Sequence, residues 1–89
     1  GMNQEEFEIG FMRDAVPEVE VAPWTHITVA WHAYHSRHLN GRRQSDEHEK
    51  KLVAALLAIS SGVDDVELLG LPTEVGSRLL ECYAHPIDD

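Results

Sequence analysis

Apolar residues recur along this chain at the three-and-four spacing of amphipathic helices, in separate blocks divided by proline, glycine and serine. The block that dominates runs from Pro23 to Gly41, PWTHITVAWHAYHSRHLNG. On a helical wheel, Trp24, Ile27, Thr28, Trp31, Tyr34, His35 and His38 gather into a stripe about 120° wide, the width of a core-facing helix. His32 falls at its edge and His26 well away. Pro23 suits the first helical position, and Asn40-Gly41 supplies residues able to turn left-handed at the end. Thr25 to Trp31 is β-branched and alternates tolerably, so a strand competes. The face stays coherent past Trp31, where alternation fails, and this favours a helix over 23–39.

The second block has the clearest boundaries. Ser45 is a good N-cap, and Asp46 and Glu47 suit the positive end of the helix dipole. Asp46 with Lys50 and Glu47 with Lys51 stand in the favourable acid-then-base order at four-residue spacing. Leu52, Val53, Leu56, Leu57 and Ile59 make the apolar face, and Ser60-Ser61-Gly62 ends a helix over 46–60. The connection from 40 to 45 is short, so helices 23–39 and 46–60 should form an antiparallel hairpin. Asp64 can cap a short helical turn over 64–69, stopped by Gly70. Pro72 and Glu74 start a last helix over 72–84 with the face Val75, Gly76, Leu79, Cys82 and Tyr83. Pro86 prevents continuation.

The N-terminal block is the most ambiguous. Asn3 followed by Glu6 has capping-box spacing, and Phe7 and Phe11 stand four apart on one face. Gly10 weakens a helix by about 1 kcal/mol relative to Ala. The pattern predicts a helix over 4–13, with a strand as rival because Phe7, Ile9 and Phe11 also alternate. Asp14 to Ala22 reads as a connection bracketed by Pro17 and Pro23, with a short extended piece at Val19 and Val21. The sum is an all-α chain of about four helices in one domain spanning residues 1–89, with Gly1 read as the remnant of a cleaved tag.

The stretch Phe7 to Trp31, with FMRDAVP, a short acidic gap and then WTHITVAW, resembles a group of small uncharacterised bacterial helical proteins. Those carry a Trp-x-His…His-Leu-x-Val-Ala-Trp pattern. The resemblance places His26, Val29, Ala30 and Trp31 on the motif, with Pro23 where the group has an earlier histidine. It implies helices at both elements and no particular activity.

Composition narrows the function classes. The chain has 89 residues, one cysteine and a net charge of −9. A core this small is marginal alone, and a lone Cys82 rules out an internal disulfide. A single cysteine without a signal peptide fits a reducing, cytoplasmic setting. No apolar run approaches the roughly 20 residues that span a bilayer. The strong negative charge makes nucleic-acid or anionic-membrane partners unlikely. The charge is uneven, however. No Asp or Glu occurs from Val21 to Ser45, while Arg37, Arg42 and Arg43 fall there. This basic centre is expected to face the acidic ends of the same or a second chain. A sharper alternative is an anion or partner contact at Arg37, Arg42 and Arg43.

Candidate chemistry lies at the junction of the hairpin. Glu49 falls on the apolar face near Leu56, while His35 and His38 fall on the stripe of the preceding helix. An antiparallel hairpin brings these three together, with His48 at the edge. Two imidazoles and a carboxylate can ligate zinc or iron. An imidazole on a carboxylate can also act as a general base. The alternative is a purely structural polar cluster, because a buried carboxylate must be hydrogen-bonded. No nucleophile motif, glycine-rich phosphate loop or HExxH pattern occurs. No cofactor is expected unless this cluster binds metal.

These features favour a small interaction or regulatory module acting by protein binding. The alternative is a small metal-binding protein or enzyme using His35, His38 and Glu49. The apolar stock ahead of the hairpin is generous for so short a chain. A homodimer through Phe7, Phe11 and Met12 follows from it.

Overall fold

The computed structural model describes residues 4–87, with side chains from Glu6 onward. The Asn3 capping position and the terminal Asp88 and Asp89 lie outside the described residues. The chain is all-helical: α1 (Gln4–Ala15), α2 (Trp24–His38), α3 (Asp46–Ser60), a single 3₁₀ turn (Val66–Leu69) and α4 (Thr73–Ala84). Both strand alternatives are overturned, since residues 4–15 and 24–38 are helical throughout.

The central helix packs on all three others. Its buried residues are Trp24, Ile27, Thr28, Ala30, Trp31, Ala33, Tyr34 and His35. Leu52, Val53, Ala55, Leu56 and Ile59 come in from α3, and Leu79 and Cys82 from α4. The apolar faces of these two helices are the ones their periodicity indicated. Cys82 is a fully buried core thiol.

The first helix differs in register from expectation. Its buried stripe is Glu8, Met12 and Val16, at four-residue spacing, and Phe7 lies outside it with 60% of its surface exposed. Phe11 is half-buried against the core, and the Thr28 hydroxyl reaches the Met12 sulfur at 3.5 Å. Met12 is therefore a core residue of the single chain, 1% exposed, and cannot offer a dimer surface. The acid at Glu8 disguised this stripe: a carboxylate on a core-facing line breaks the apolar period.

Helix boundaries are set by turn chemistry. Two prolines expected inside the first turns instead precede them. Pro23 has ψ 64° and Pro72 has ψ 141°, both outside the helical region. Asp65, and not Asp64, accepts the Glu67 N–H at 3.0 Å and starts the 3₁₀ turn. Gly70 ends that turn in the left-handed conformation at φ 72°. Gly76 is needed for contact: a Cβ there would meet Val66 Cγ1 at 2.6 Å, so the bare backbone lets α4 close on the 3₁₀ turn.

Candidate functional site

The junction between α2 and α3 is built by local signals on both sides. Asn40 is left-handed at φ 54° and Gly41 at φ 78°, which ends α2 sharply. The His35 carbonyl takes two N–H groups released at this end, from Leu39 at 3.1 Å and Gly41 at 2.8 Å. The chain then returns through Arg42 to Gln44. The Ser45 hydroxyl accepts the His48 N–H at 3.4 Å and starts α3. That return brings the first turn of α3 against the last turns of α2 and places Glu49 in the core.

Glu49 is fully buried. Its carboxylate gathers three kinds of donor. Trp31 Nε1 donates to Oε2 at 3.0 Å, and the Gln44 backbone N–H donates to Oε1 at 2.7 Å. His35 Nε2 lies 2.8 Å from Oε1 and 3.0 Å from Oε2. The other ring nitrogen, Nδ1, is 2.7 Å from the Trp31 carbonyl. A carbonyl only accepts, so Nδ1 carries a hydrogen. Nε2 faces the Glu49 carboxyl group, so the hydrogen of that contact lies between the two side chains. The two side chains bind each other and their neighbouring groups, so the polar atoms of this pair are satisfied inside the core. The Trp31 ring lies 4.1 Å from the His35 ring, tilted against it.

This arrangement decides what the junction can do. Metal ligation and proton abstraction both need an imidazole lone pair. Both ring nitrogens of His35 are engaged in buried hydrogen bonds, and each oxygen of Glu49 has a partner. The structural reading of the polar cluster accounts for each of its polar atoms.

The remaining predicted ligands lie elsewhere. His38 is exposed, 5.4 Å from the Tyr34 ring. Its imidazole is held below the usual histidine range by partial burial and by the cations Arg78 and Arg37, surroundings that disfavour a metal ion. His48 binds back to the Ser45 hydroxyl through Nδ1 at 2.8 Å. Among the described residues, no group of three or more His, Cys, Asp or Glu is placed to hold a metal ion. The predicted set of His35, His38, Glu49 and His48 is thus corrected to a pair, His35 with Glu49. The wheel could not separate them, because α2's wide stripe serves two neighbours. Its His35 edge meets α3, while Tyr34 and His38 lie towards Arg78 and Glu74 of α4.

The arginine cluster is also dispersed. Arg37 Nη1 reaches Cys82 Sγ at 3.8 Å across α4. Arg43 stacks over the Phe11 ring at 4.5 Å and pairs with Asp46 at 3.0 Å. Asp46 thus turns back across the loop to Arg43 and not forward to Lys50. Arg42 stays exposed. No single anion-binding patch results.

Sequence reasoning missed a second histidine–carboxylate pair. His32 Nε2 lies 2.7 Å from Glu8 Oε2, joining α2 to α1, with the histidine side chain 48% exposed. The two residues stand 24 apart in sequence, so no local period announces them. This pair borders an open groove of about 820 Å³ whose walls include Phe7, Trp31, His35, Ser36 and Arg43. The exposed Phe7 forms one rim. His26, to which the sequence assigned no role, stacks on Tyr83 at 4.2 Å and contacts its carbonyl through Nε2 at 3.0 Å.

Comparison with family models, curated proteins and solved structures finds no match to this chain. Among the described residues, no helix is long and apolar enough to cross a membrane.

Proposed function

We propose that this chain is a small cytoplasmic interaction module that works by binding protein and associates with itself. The observation that carries the reading is the contrast between a closed interior and an open aromatic surface beside Phe7. The His35–Glu49 junction is buried with its hydrogen bonds complete, which leaves it no free group for chemistry. Phe7, by contrast, is 60% exposed at the rim of a groove floored by Trp31 and His35. A large aromatic ring gains most when both faces leave water, and such rings anchor protein interfaces. The half-exposed His32 and the Arg43 that covers Phe11 supply a polar rim around it.

Sedimentation of the intact chain over a concentration series tests the proposal. The expected result is about twice the 10.0 kDa chain mass at micromolar concentration. Phe7→Asp shifts the protein to monomer without unfolding it, because that side chain is outside the core. A folded monomer at the highest attainable concentration, with no change on Phe7→Asp, overturns the reading.

A further inference from the structure

The start of α2 lies against a cavity that shares no lining residue with the Phe7 groove. Pro23 gives this helix no side-chain cap, and its first turn holds no acid. The Thr25 and His26 N–H groups belong to that turn, where the helix itself supplies no acceptor and its dipole is positive. The third helix meets the same need with the Ser45 hydroxyl and with Asp46, Glu47 and Glu49. The cavity in front of α2 is open and has a volume of about 680 Å³. Ile9, Ala22, Val29 and Pro86 give it apolar walls, and Arg13 brings a cation to it. Among the described residues, no Asp or Glu lines it. Trp24 forms part of the same lining and is 5% exposed. Its Nε1 is buried without a hydrogen-bond partner. The other indole, Trp31, gives its N–H to Glu49. A buried donor left without an acceptor costs about 1–3 kcal/mol, and packing within the chain does not explain why Trp24 bears that cost.

We infer that this cavity is a binding site for a small organic carboxylate. The carboxylate seats between Arg13 and the first turn of α2, and it supplies the acceptor that the Trp24 indole lacks. Helix N-termini bind anions through their free N–H groups, and arginine holds a carboxylate through two parallel hydrogen bonds. The exposed Thr25 hydroxyl adds a further donor at the same turn. His26 Nε2 is engaged by the Tyr83 carbonyl at 3.0 Å, which leaves Arg13 as the permanent charge of the site. One permanent cation and mostly apolar walls match one negative charge on a hydrocarbon body. A phosphate ion, with more charge and no apolar surface, leaves those walls uncovered. The volume falls within the roughly 300–1,000 Å³ of small-molecule sites. The site stands whether or not the chain self-associates, since the Phe7 groove is a separate surface.

The test is titration of the full chain with phenylacetate, followed by calorimetry and by the indole N–H resonances in proton–nitrogen spectra. The expected result is saturable one-to-one binding that moves the Trp24 indole signal downfield as it gains an acceptor. The Trp31 signal, already bonded to Glu49, stays in place. Phenylacetamide has the same shape without the charge and should bind about tenfold more weakly or worse. Arg13→Gln, at an exposed position outside the core, should weaken phenylacetate by a similar factor. Thr25→Asp puts an acid into the uncapped turn. It should raise the melting temperature of the free protein, because the acid suits the helix dipole, and abolish phenylacetate binding. No saturable binding through the millimolar range overturns the inference. Equal affinity for phenylacetamide, or undiminished affinity in Arg13→Gln, overturns it as well. Inorganic phosphate bound more tightly than phenylacetate overturns the assignment to an organic carboxylate.

Discussion

His35–Glu49 and His32–Glu8 are the same chemical pair at almost the same distance, 2.8 and 2.7 Å, in opposite surroundings. The first is 7% and 0% exposed at the side chains; the second is 48% and 10% exposed. Both tie α2 to a neighbouring helix, and they differ in what is lost when a partner is removed. Water can replace Glu8 at His32. Nothing can replace Glu49, since its other contacts are the buried indole of Trp31 and the Gln44 backbone. Sequence shows that both pairs are possible; only packing decides which becomes part of the core and which remains at a groove.

The comparison breaks most easily at Glu49. Glu49→Ala leaves a buried imidazole, an indole N–H and a backbone N–H without their partner. The expected cost is about 3–5 kcal/mol, since each buried polar group left without a partner costs about 1–3 kcal/mol. That is a large part of the 5–15 kcal/mol typical of a whole domain. Urea unfolding monitored by circular dichroism reads it directly. A loss under about 1 kcal/mol would place Glu49 in contact with water.

A smaller change sharpens the picture. Trp31→Phe keeps most of the ring volume and removes a single N–H donor to Oε2. The carboxylate keeps its His35 and Gln44 donors, so the cost should be about 1 kcal/mol, near that of one hydrogen bond. Thermal unfolding resolves a difference of this size. A loss as large as that of Glu49→Ala would mean that the indole holds the cluster by itself.

The parts of this structure that were legible in sequence share a physical cause. Ser45, the acids after it and the leucine-rich face of α3 act within a few residues of one another, so local rules suffice for a helix over 46–60. His35 and Glu49 were paired correctly because the turn between them is short. His38 was added wrongly because a wheel reports angle and not neighbour, and α4 takes the part of the stripe that His38 extends. The register of α1 was missed because Phe7 and Phe11 form the more conspicuous pair. The buried line there runs through Glu8, whose acid meets His32 from a distant helix. Pro23 and Pro72 were placed one residue too far inside their helices, since φ alone suits a first turn and ψ, which sequence does not fix, excludes it. Both strand alternatives failed for a common reason: β-branched residues at Ile27, Thr28 and Val29 follow helical packing once Trp24, Trp31 and Tyr34 settle the face.

The most direct test is a pair of double-mutant cycles, His35→Ala with Glu49→Ala and His32→Ala with Glu8→Ala, read by equilibrium unfolding in urea. The account predicts a coupling of about 2 kcal/mol or more for the buried pair, near the 0.5–3 kcal/mol upper range for contacting residues. For the half-exposed pair it predicts about 0.2–1 kcal/mol. Equal couplings, or a larger value for His32–Glu8, would contradict the claim that burial alone makes one of these two like pairs the structural junction of the fold.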